Sequence, residues 1–132
     1  MRTALCIAVA LFSGCAAAQV QPGNWELSLT TLLSGQPQPI AVTETRCLTD
    51  ADTRDPSNVL GGSAKGGCAF SNKHDSGTVF TFDVSCTGAL PMAGKGSVSY
   101  TATTINADLD LSADGGKFGM RAFVTGRRLG GC

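Results

Sequence analysis

The chain predicts an all-β fold: a single-domain antiparallel meander of about seven strands, curled into a barrel or folded over as a sandwich. Three observations carry this expectation. Apolar residues recur at every second position in one segment after another, the period of a strand with one buried face. The segments are separated by short clusters of glycine, proline, serine and aspartate, which favour turns. Four cysteines remain once the first eighteen residues are set aside, an even number that reads as two disulfides in an exported chain.

The chain has 132 residues, a one-domain length. Met1-Arg2 gives a short basic start, and Ala4 to Phe12 is apolar apart from Cys6. Ala16-Ala17-Ala18 then offers the small residues that a signal peptidase reads, with the cut before Gln19. Residues 1–18 are thus expected to be a signal peptide and residues 19–132 a single β domain, periplasmic or secreted. The apolar run is about nine residues, short of the roughly 20 that a helix needs to span a bilayer, so no transmembrane segment is expected. A competing signal is Phe12-Ser13-Gly14-Cys15, which is similar to a lipobox and would put a lipid anchor on Cys15. Phe12 replaces the usual leucine there, and the Ala-x-Ala site is favoured.

The first strand is Trp25-Glu26-Leu27-Ser28-Leu29-Thr30, with Trp25, Leu27 and Leu29 turned inward. Ser34-Gly35-Gln36-Pro37-Gln38-Pro39 breaks it. Ile40 to Cys47 is a second strand with mixed faces, paired antiparallel to the first. One or two short helical turns follow near residues 50–60. Thr49 is placed to cap the first with Asp52 in the capping-box position, and Asp55-Pro56 to start another. The glycine-rich stretch from Gly61 to Gly67 is a connector.

Cys68 and Phe70 begin the next strand, and Phe80, Phe82, Val84 and Cys86 share one face of its partner. Asp75-Ser76-Gly77 is turn chemistry, with His74 beside it. Folding the segment about Gly77 brings Cys68 opposite Cys86. Opposed Cβ atoms lie about 4.5–5.5 Å apart and a disulfide needs about 3.5–4.5 Å, so a local twist or bulge is expected at this pair. Cys68–Cys86 leaves Cys47–Cys132 as the second bridge.

An irregular loop from Thr87 to Gly94 carries Leu90-Pro91-Met92. Three more alternating runs follow: Val98, Tyr100 and Ala102; then Ala107, Leu109 and Leu111; then Phe118, Met120, Ala122 and Val124. Asp114-Gly115-Gly116 joins the last two as a hairpin turn.

No catalytic, cofactor-binding or metal-binding residue is expected. No C-x-x-C pair exists and His74 is the sole histidine, so no metal site is expected. Asp110-x-Ser112-x-Asp114-Gly115 starts like a calcium loop, but its twelfth position is Arg121 where a glutamate is needed. Gly94-Lys95-Gly96-Ser97 fails as a phosphate loop, with Ala89 in place of the first glycine and Gly96 after the lysine. Asp108 and Asp110 share a strand face and read as its solvated side. Trp25 reads as core in preference to a ligand platform. Removal of residues 1–18 takes away Arg2 and leaves nine basic residues against ten acidic, a net charge of −1. Arg127-Arg128 is the one basic pair, which gives nucleic acid no footprint.

Several residues then coincide in order: Gly23-Asn24-Trp25-Glu26, Cys47-Leu48-Thr49, Cys68, Cys86, Gly94-x-Gly96 leading to Tyr100, and the closing Gly126-Arg127-Arg128-Leu129-Gly130-x-Cys132. This order resembles the domain-of-unknown-function family 3617, small exported bacterial proteins. The resemblance covers nearly all of residues 19–132. It implies export, disulfides and one domain, and brings no catalytic residue. Asn24 stands where that family often has an apolar residue.

The functional expectation is a non-enzymatic envelope protein that binds a small apolar ligand or a partner protein. An open interior would suit the ligand; a filled one would favour a surface such as Leu90-Pro91-Met92. The competing expectation is a periplasmic hydrolase with a site assembled around His74.

Overall fold

Seven antiparallel strands form one sheet in a computed structural model that describes residues 19–56 and 67–132. They are β1 (Gly23–Leu33), β2 (Ile40–Leu48), β3 (Cys68–Asp75), β4 (Val79–Cys86), β5 (Met92–Tyr100), β6 (Thr104–Ala113) and β7 (Phe118–Gly130). The spatial order is β2-β1-β7-β6-β5-β4-β3. From β3 to β7 the chain is a meander. The first hairpin, β1–β2, joins it by pairing β1 with the last strand, so the expected sequential order is broken at that one place. The sheet is single and not closed, with β2 and β3 as its edges; the architecture is an unclosed curl, with no second layer among the described residues.

The curl follows from the alternation. β1 and β4 to β7 each have one apolar face, and a single sheet can bury that face only by wrapping it around itself. Trp25, Leu27, Phe80, Phe82, Val84, Val98, Tyr100, Ile105, Ala107, Leu111 and Val124 meet in one cluster. Two glycines in β5 permit the close approach. The Phe82 ring lies against Gly96, and a Cβ on Gly94 would overlap the Asp110 carbonyl of β6. β5 therefore begins at Met92 and runs straight through Gly94-x-Gly96, and the irregular loop ends sooner than expected.

One helix, α1 (Asp50–Arg54), follows β2, with Thr49 and Asp52 forming a reciprocal capping box. The second expected turn, after Pro56, falls on residues 57–60, outside the described residues, as do residues 1–18. Asp55, just past α1, reaches across to Lys73 on β3 at 2.6 Å. The segment leaving one edge of the sheet is thus tied to the opposite edge.

Both disulfides join the expected partners. Cys47–Cys132 (Cα–Cα 5.8 Å) links β2 to the end of the chain beyond β7. Asn24 of β1 pairs with Cys47 on one side and Gly130 on the other, so the bridge clamps β1 between its neighbours. Cys68–Cys86 joins directly opposed residues at the head of the β3–β4 pair. Of the twist or bulge expected at that pair, no bulge is present there. The register shifts instead between Ser71 and His74, where Asn72 adopts φ 49°. The two strands close in to a Cα–Cα distance of 3.9 Å at the bridge.

Candidate functional site

The two ends of the sheet are finished differently. At the lower end, where β2 finishes and β1 begins, the interior is sealed. Trp25, Leu48, Ile105 and Val98 are the large side chains with essentially no exposure, and all lie toward that end. The Trp25 indole donates to the Gln21 carbonyl at 3.0 Å, which holds the leading segment across the opening and buries Val20. Tyr100 closes the β5 side. Its hydroxyl donates to Asp75 Oδ1 at 2.7 Å. Burial, with the Asp75 carboxylate beside it, pushes the phenol up to about 12.

The upper end is unfinished. Of the five large hydrophobics exposed among the described residues, Leu32 (40%) and Leu90 (48%) lie there, and Ile40 (48%) and Val42 (53%) lie on the adjoining half of edge strand β2. Ile40 and Val42 are on the core face of β2, opposite Thr31 and Leu29 of β1. Leu33 stands beside Met120, and Met120 beside Leu111, so the apolar interior reaches this end across β1, β7 and β6. Leu90 lies in the loop between β4 and β5. Beyond it Pro91 and Met92 form one wall of a cleft of about 350 Å³, whose other wall is Ser112 to Gly116. The three upper loops (residues 34–39, 87–91 and 114–117) carry just two charges, Asp114 and Lys117.

The polar face is a second candidate surface. A cleft of about 490 Å³ there is lined by residues including Asp83, Lys95, Asp108, Asp110 and Arg121. The register sets Asp83, Lys95, Asp110 and Arg121 side by side on consecutive strands. They neutralise one another: Lys95 pairs with Asp83 at 3.1 Å, and Arg121 with Asp108 at 3.5 Å and Asp110 at 3.9 Å. A hydrogen bond from Asn72, then one from Lys95, holds the Asp83 carboxyl below its usual range. A general acid needs the opposite shift. Arg121 also lies over the Phe123 ring, 5.0 Å from its centroid.

His74 is on β3 itself, one residue before the strand ends, exposed and opposite Thr81. The groups that a site around it would draw on are engaged elsewhere. The Ser76 hydroxyl donates to the Val79 carbonyl, and Asp75 Oδ1 accepts from Tyr100 and from the Gly77 amide. Asp110, Ser112 and Asp114 run along β6 into a 3-10 turn (Asp114–Gly116) and do not wrap a common centre. No three His, Cys, Asp or Glu side chains are placed to share a metal ion among the described residues. No helix there is long and apolar enough to cross a membrane.

A comparison with models of known families matches residues 20–132, from the buried Val20 to the disulfide-bonded Cys132, to a family described as a protein of unknown function, DUF3617. The chain belongs to DUF3617. Searches of curated proteins and of solved structures gave no match. For this DUF3617 chain the resemblance expected from the cysteine order and the closing arginine-leucine-glycine-x-cysteine therefore holds. The sequence pointed to Leu90-Pro91-Met92 but missed Ile40 and Val42 as a surface. Their signal was present: an apolar alternation directly after Gln36-Pro37-Gln38-Pro39, on a strand whose Glu44 and Arg46 break the apolar face.

Proposed function

We propose that this protein is a non-enzymatic binding module of the cell envelope or the extracellular space, and that it holds a partner protein against the upper end of its sheet. The observation that carries this reading is the exposure of Ile40 and Val42 on edge strand β2, with Leu32 and Leu90 exposed at the upper end beside loops almost free of charge, while the opposite end is sealed. Ile40 and Val42, successive residues on one face of an edge strand, are exposed apolar surface of the kind that marks interaction sites. The interior is filled by Trp25, Leu48, Ile105 and Val98, which favours the surface over the core as the place of contact. The two disulfides suit an oxidising compartment, in keeping with export directed by residues 1–18.

Site-specific photo-crosslinking in the producing cell tests the reading. A photoreactive residue at position 32 or 90 should give an adduct of defined mass with another protein. The same residue at 129, an exposed apolar position at the lower end, or at 99 on the polar face should give none. Adducts of equal yield at all four positions, or at none, would contradict it.

A further inference from the structure

The two edges of the sheet are not alike. β3 carries devices that discourage a further strand: the register shift between Ser71 and His74, and Lys73 on the edge itself. β2 carries neither. It pairs with β1 in unbroken register from Ile40 to Leu48, contains no proline or lysine, and is exposed at every residue from Ile40 to Thr45. Its guard is of another kind: Glu44 and Arg46 are charges on the core-face row, which deter any strand that does not bring opposite charges in the same register and leave the edge open to one that does.

The side chains on β2 say which strand. Its core-face row reads Ile40, Val42, Glu44, Arg46 and Leu48. Glu44 has Leu27 as its neighbour on β1 and no ion partner among the described residues. We propose that β2 pairs antiparallel with β2 of a second copy of this chain, with Thr45 on the two-fold axis. About that axis the charged pair is its own complement: Glu44 of each copy faces Arg46 of the other. The contact is isologous, the same patch used twice, which closes as a dimer. It ends at Leu48, before α1 begins at Asp50. Arg46 also acts on Asp52 of α1, and a guanidinium has enough donors to serve two carboxylates. The inference rests on the upper end being an interaction surface, since Ile40 and Val42 belong to it, and names one occupant of its β2 side.

Sedimentation of the purified exported protein tests the dimer over about 1–100 µM, the range in which such an equilibrium is read. The native chain is expected to be dimeric. Glu44→Arg and Arg46→Glu, each alone, place like charges opposite each other twice and should weaken the dimer at least about tenfold. An equimolar mixture of the two variants should dimerise again, because every contact is then between opposite charges. Circular dichroism confirms that each variant is folded. Thr45→Pro, on the proposed two-fold axis, where a proline cannot extend a ladder, gives a charge-independent loss and serves if Arg46→Glu disturbs α1. A native chain that stays monomeric, or a dimer indifferent to Glu44→Arg and Thr45→Pro, overturns the proposal. A monomer that still cross-links from position 90 overturns the dimer alone and leaves the interaction surface standing.

Discussion

Replacing Cys47 and Cys132 together by alanine is expected to lower the stability of the protein by about 4–5 kcal/mol. The bridge spans a sequence separation of 85, against 18 for Cys68–Cys86. Loop-closure entropy grows with the logarithm of that separation, and the shorter bridge is accordingly worth about 3 kcal/mol. The long bridge also has a specific mechanical task. It joins the two neighbours of β1 across Asn24, at the point where the β1–β7 register shifts between Asn24 and Trp25. Without it the β1–β2 hairpin is held to the meander by the β1–β7 ladder, core contacts and exposed polar pairs such as Glu26–Arg127 and Asp55–Lys73. Denaturant titration of the double variant reads the loss directly from the midpoint. A change under 1 kcal/mol would mean that the hairpin is held in place without the bridge.

Trp25→Ala should cost a further 3–5 kcal/mol in the native-disulfide background. Trp25 is completely buried, and it fills the sealed end together with Leu48 and Ile105. Truncation leaves a cavity that the surrounding strands, fixed by their ladders, cannot collapse to fill. It also removes the donor to Gln21, so the leading segment with Val20 loses its attachment. Trp25→Phe separates the two terms: the ring volume is largely kept while the hydrogen bond is lost, so the expected loss is about 1–2 kcal/mol. Equal losses for the two variants would show that the hydrogen bond, and not packing, holds that end.

Much of this architecture is legible in residue types alone, for identifiable reasons. Phe80, Phe82 and Val84 alternate with Thr81, Asp83 and Ser85, and a strand with one wet face permits nothing else. The turn at Asp75-Ser76-Gly77 fixes the hairpin, and the hairpin fixes the disulfide. What alternation does not encode is which strand lies beside which. The β1–β7 neighbour relation joins residues about a hundred positions apart, such as Glu26 and Arg127, which pair at 3.0 Å. Ile105 is hidden in the pattern because threonines and an alanine precede it and resemble a turn, yet it is one of the most deeply buried side chains. Gly94 and Gly96 look like strand breakers. They stand inside β5 because Phe82 and the Asp110 backbone occupy the space that a Cβ would need. The upper end is the hardest to foresee. Ile40 and Val42 have the spacing of buried residues, and only the position of β2 at the edge leaves them uncovered.

The openness of the sheet at β2 supports both the interaction surface and the dimer, and amide hydrogen exchange tests it most directly. The Glu44→Arg chain suits the measurement, since it cannot pair with a second copy in the proposed register. Every second amide from Ala41 to Arg46 should exchange rapidly, as expected for a strand bonded on one side, while the amides of β1 and β7, bonded on both, remain the slowest in the molecule. Protection of consecutive β2 amides at the level of β1 in that monomer would show that β2 is already covered, and would contradict the account.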